Sequence, residues 1–156
     1  MPVFRNKEDV YDRCIAEGNI QNQDTVDFEK IKANLNIVDE DLASAKDSLL
    51  KKRWNSAYKI YYDVLHVLVE SYVSFDKVKV LNHKCLFAYL CEKHPELEFD
   101  WNFFEKIRTK RNGINYYGTP VKYGDWKEVE LQVNLYINKL KVEIKKNIKS
   151  NQLKGL

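Results

Sequence analysis

The residues best suited to chemistry lie close together between positions 108 and 118. Arg108, Arg111, Asn112 and Asn115 recur at helical spacing, and at about 100° per residue they fall within about 100° of one another. They end a helix predicted from about Asp100, with Asp100 as its cap, stopped by Gly118 and Pro120. Trp101 and Phe104 are expected on the same side a turn or two earlier, whereas Phe103, Ile107 and Ile114 point to the core. Two guanidiniums and two amides on one stripe suit phosphate, because each guanidinium offers a planar fork of donors. Lys106, Lys110, Lys122 and Lys127 add charge around Tyr116, Tyr117, Tyr123 and Trp126, a mixture that fits phosphates and stacked bases. The competing reading is a solvated polar face with two arginines.

Other chemistries lack their residues. The chain has no Gly-x-x-x-x-Gly-Lys-Ser/Thr loop, no Gly-x-Gly-x-x-Gly and no Gly-x-Ser-x-Gly. With only 5 glycines, phosphate recognition falls to side chains. No Cys-x-x-Cys or His-x-x-x-His spacing predicts zinc, and no carboxylate cluster predicts a catalytic metal, so neither metal nor cofactor is expected. The 3 cysteines, Cys14, Cys85 and Cys91, form an odd set and are read as small buried hydrophobes. His66 is read as a core-edge residue and His83 as a helix-cap or turn residue.

The elements that must position the arginine stripe are helical. Phe28, Ile31, Leu35, Val38, Leu42, Ala45 and Leu49 alternate spacings of three and four, which predicts a long helix closed by Lys51-Lys52-Arg53. A second helix is expected over 55–74, with Ala57, Tyr61, Val64, Leu65, Leu68 and Tyr72 inward and Tyr58, Tyr62, Val69 and Val73 widening that face. A third spans 82–93, stopped by Pro95. The last opens at Asp125-Trp-Lys-Glu, of capping-box form, with Val129, Val133, Ile137, Leu140, Ile144 and Ile148 as its core stripe. Leu131, Leu135 and Val142 form a second apolar strip on it, suited to a partner. A short helix over 7–17, with Val10, Cys14 and Ile15 inward, belongs to an N-terminal appendage of residues 1–25. Residues 26–150 form the bundle and 151–156 a frayed tail. No strand alternation is visible.

Arg111-Asn112 and what precedes it resemble the signature of the HEPN family: an arginine, usually followed by a polar residue such as asparagine, with a histidine after four to six further positions. Tyr116 stands where that histidine falls after a gap of four, and Tyr117 after a gap of five. Two long helices, a turn and Asn82-His83-Lys84 opening a third extend the likeness over roughly 28–148. The resemblance implies an all-α, antiparallel bundle of about five helices that forms a homodimer. It also implies a metal-independent ribonuclease chemistry, with Arg111 steadying the scissile phosphate and Asn112 orienting it. Arg108 joins them from its place on the helical wheel.

The departure at the histidine limits that chemistry. A tyrosine of pKa about 10 is ionised about one part in a thousand at pH 7, so Tyr116 is a far poorer base than imidazole. The first expectation is therefore a binding module, holding RNA or nucleotide phosphate through Arg108, Arg111, Asn112, Asn115, Tyr116 and Tyr117. In that role it would belong to a toxin–antitoxin or related pair with a small nucleotidyltransferase. In some such pairs the transferase modifies a tyrosine two residues after the histidine, a position held here by Gly118. The alternatives are an endoribonuclease using Arg111 and Tyr116, and a purely structural dimer. A chain of 156 residues, 44% hydrophobic and 31% charged, is one domain's worth without a membrane span. The polar N-terminus suggests a cytoplasmic protein.

Overall fold

The computed structural model describes residues 5–154. The reading of the extreme N-terminus, residues 1–4, and of the tail's last two residues lies outside them. Six α-helices dominate: α1 (Lys7–Ala16), α2 (Phe28–Leu50), α3 (Trp54–Ser74), α4 (His83–Lys93), α5 (Trp101–Tyr117) and α6 (Tyr123–Lys154). A 3-10 turn, Pro95–Leu97, separates α4 from α5. The expected helical architecture holds among the described residues, with one correction. Short strands β1 (Ile20–Asn22) and β2 (Val78–Val80) pair antiparallel, with Ile20 opposite Val80.

α3 is the central helix. Eleven of its residues are buried, from Ala57 to Val73, so it must be covered on more than one side. α2 covers it with Ile31, Val38 and Ala45 fully buried and Leu35, Leu42 and Leu49 partly so, which is the expected seam apart from Phe28. α6 covers it with Trp126, Val129, Val133, Ile137, Leu140 and Ile144, and its second strip, Leu131, Leu135 and Val142, stands in solvent. This last helix opens two residues earlier than Asp125. The Asp125 carboxylate reaches back to accept from the Lys122 backbone N–H at 2.8 Å, the reciprocal half of a capping box. Asn6, Asp27, Asn82 and Asp100 cap α1, α2, α4 and α5 through their side chains.

The N-terminal segment is fastened to the bundle. Val10 and Cys14 of α1 are buried in the common core, while Ile15 is exposed, contrary to expectation. Cys14 and Cys85 form a disulfide, which corrects their reading as free buried thiols. That reading holds for Cys91, which is free and buried, its thiol pushed up to about 12 by burial. Trp101 donates its indole N–H to the Arg5 carbonyl at 2.7 Å. Among the described residues no helix is long and apolar enough to cross a membrane.

Candidate functional site

α5 divides into two halves. Trp101, Phe103, Phe104, Glu105 and Ile107 are buried, so its first two turns are enclosed on several sides. Trp101 and Phe104 therefore do not crown the polar stripe as aromatic platforms. Phe104 lies flat on Phe87 of α4, centroids 4.5 Å apart, inside the core. From Arg108 onward the helix emerges, and it ends at Gly118, whose φ of 63° is the left-handed conformation a C-cap glycine supplies.

The two arginines of the stripe have different surroundings. Arg108 is locked to Glu105, one turn back, by two hydrogen bonds of 2.9 and 3.0 Å. Glu105 is buried, so this charge pair is internal. The pair raises the Arg108 pKa further and leaves its fork occupied. Arg111 lies over the Tyr62 ring, 5.2 Å from guanidinium to centroid. Its one ion pair among the described residues is loose, 3.7 Å from Nη2 to the exposed Asp63 carboxylate. Its Nε is buried and has no hydrogen-bond partner.

Around Arg111 the fold assembles groups that lie far apart along the chain. Tyr62 and His66 sit one turn apart on α3, with Asp63 beside them, and His83 is the first residue of α4. The Tyr62 hydroxyl and His83 Nδ1 are hydrogen-bonded at 2.8 Å. The His66 and His83 rings stack with centroids 3.7 Å apart. Among the described residues His83 Nε2 and both ring nitrogens of His66 have no hydrogen-bond partner. Burial, then His83, then Arg111 push the His66 pKa down to about 4. His83 is lowered by burial first and by Arg111 second, with Asp63 opposing. Both imidazoles are therefore neutral at pH 7. Burial raises Tyr62, keeping its hydroxyl protonated, and it raises Asp63 against the pull of Arg111.

The remaining residues of the expected site are placed further out. Asn112 is half-buried, and Asn115, Tyr116 and Tyr117 are exposed. None of the four makes a side-chain hydrogen bond among the described residues. Tyr116 is 71% exposed, so its hydroxyl faces water with no side chain of the site holding it. The expected basic and aromatic surface is also reduced. Trp126 is buried, and Lys106, Lys110 and Lys127 pair with Glu128, Asp125 and Glu130. No group of three or more metal-ligating side chains occurs among the described residues. Comparison with protein-family models, curated proteins and solved structures gives no match to this chain.

Proposed function

We propose that this chain is a HEPN-like helical protein that binds a phosphate group of RNA or of a nucleotide where α3, α4 and α5 meet, with Arg111 as the phosphate contact. The state of Arg111 carries this reading: a guanidinium held in place by a tyrosine ring, loosely paired to an exposed carboxylate, with a buried donor left open. A preorganised donor with free capacity is what an oxyanion needs. Arg108, its charge balanced and its fork taken by Glu105, holds the helix surface in register. Asn112, Asn115, Tyr116 and Tyr117 extend the site outward, where exposed rings can stack on bases.

Pairing with a second copy or with a small nucleotidyltransferase is part of the same proposal, supported by the exposed Leu131, Leu135 and Val142. So is the cytoplasmic setting, against which the formed Cys14–Cys85 bond counts, because such bonds are rare where a thiol pool reduces them. The test is fluorescence anisotropy with a 5′-labelled single-stranded RNA in EDTA. Arg111→Ala weakens binding about 10- to 100-fold, the range of a charged hydrogen bond. Equal affinity in the variant rejects the reading.

A metal-independent endoribonuclease is the second reading, favoured by one observation. Two neutral imidazoles stand beside Arg111, although the signature histidine position holds Tyr116. RNA cleavage in EDTA that disappears in Arg111→Ala supports it. Binding without cleavage by the wild type leaves the binding module.

A further inference from the structure

Charge at the junction of α3, α4 and α5 balances before any ligand arrives. Arg108 is neutralised by Glu105 and Arg111 faces Asp63, so these four ionised groups sum to zero. A phosphate entering beside Arg111 brings one or two negative charges into a half-buried place, where an uncompensated charge is costly. Among the described residues the imidazoles there are His66, held down to about 4, and His83, which is the one left to take up a proton nearer neutral pH.

The two histidines are wired differently. His83 Nδ1 is already bonded to the Tyr62 hydroxyl, which can accept an N–H, so both nitrogens of a protonated His83 would have a use. His66 has no such partner and is the harder to protonate. Tyr62 also touches Arg111, so one buried ring positions both the guanidinium and the imidazole.

We propose that a phosphate bound at this site is held between Arg111 and a protonated His83, so that each binding event takes one proton from solvent onto His83. This rests on the phosphate reading above. The proton adds to the free imidazole nitrogen. Nδ1–H then donates to the Tyr62 oxygen and Nε2–H to a phosphate oxygen, and no other bond is made or broken. The charged and titrating groups acting on His83 are Asp63, His66 and Glu70 of α3 and Arg108 and Arg111 of α5. Lys84 lies on its own helix, and Asp41 of α2 acts through Asp63. Burial first and repulsion from Arg111 second keep His83 neutral, and a phosphate beside the guanidinium offsets the second and supplies the counter-charge that burial makes valuable. The stacked neutral His66 ring then serves as a positioning residue.

Calorimetry with the full chain tests this. Adenosine 5′-monophosphate supplies a terminal phosphate, and the dinucleotide ApA an internal diester with no titrating oxygen near pH 7. Each is titrated at pH 7 in two buffers of different ionisation enthalpy. The wild type takes up close to one proton, and its affinity for ApA falls toward tenfold per unit from pH 7 to pH 8. His83→Gln abolishes both effects, whereas His66→Asn retains the uptake. The His83 Cε1–H signal of the wild type, followed by NMR, titrates at higher pH when ligand is bound, a readout independent of how any variant folds. Arg111-dependent binding with no proton uptake, a flat pH profile and an unmoved His83 signal overturns the proposal and leaves the phosphate reading standing. No binding of either ligand, or equal binding by Arg111→Ala, removes both.

Discussion

Reducing the Cys14–Cys85 disulfide should cost the fold a large part of its stability. The bond closes a loop spanning 71 residues of sequence. Loop-closure entropy for that length lies between about 3 kcal/mol for a 15-residue loop and about 4.7 kcal/mol for a 100-residue loop, and comes to about 4 kcal/mol. For a chain of this size each kcal/mol moves Tm by about 2–4 °C, so reduction should lower Tm by about 10–15 °C. Comparing oxidised and reduced wild type avoids the cavities that Cys→Ala would open at two buried sites. A dithiol can approach through the open cavity of about 450 Å³ lined by Arg13, Glu17, Asn19, Lys84 and the two cysteines. Melting is followed by circular dichroism, and the thiols are counted after unfolding. The oxidised protein should give one, Cys91, and the reduced protein all 3. Equal Tm values for samples with one and three thiols would refute the assignment of this bond as a clamp.

Replacing Glu105 by Gln leaves Arg108 as a half-buried, uncompensated cation, and urea unfolding should report a loss of about 3 kcal/mol. His66, held neutral with a pKa near 4 against an unfolded value of 6.5, is bound by more protons in the unfolded state between those limits. Its contribution is full above about pH 6.5 and lost as pH falls toward 4, on the order of 2–3 kcal/mol, so His66→Asn should flatten the stability profile in that window relative to wild type. Asp63→Asn removes the loose partner of Arg111 and should tighten phosphate binding several-fold in the anisotropy assay, with the gain shrinking at high salt. Tyr116→Phe keeps the ring and removes only an exposed hydroxyl, so RNA affinity should change less than two-fold.

The seam of α2 was legible because Ile31, Val38 and Ala45 repeat every seven residues against a single neighbour. The caps at Asp100 and Gly118 were legible because they act on adjacent backbone. What escaped was set by contacts across the chain. β1 and β2 are three residues each and lie 55 positions apart, too short and too distant for alternation to register. Three cysteines carry no sign of which two will meet, and the pair formed joins α1 to the first turn of α4. The helical wheel placed Trp101 beside Arg108, but burial of the early turns of α5 encloses Trp101. His66 and His83 each looked ordinary alone. They become a cluster only when two helices bring both rings together beside Arg111, and the i, i+4 spacing of Tyr62 and His66 was the one local hint.

α6 has 32 residues and so runs about 48 Å, further than the bundle supports. Its last fully buried side chain is Ile144, and Lys141 pins it to Asp39 of α2 at 2.7 Å. Beyond Ile148 the helix proceeds with water on every side, carrying Lys149 and Lys154. Less than two turns of helix without packing are barely stable alone, so this end should wind and unwind while the rest of the same helix stays shut. The molecule thus possesses a built-in tether: a fluorophore, a surface linker or a fused domain joined there would ride on a stem already decoupled from the machinery at Arg111.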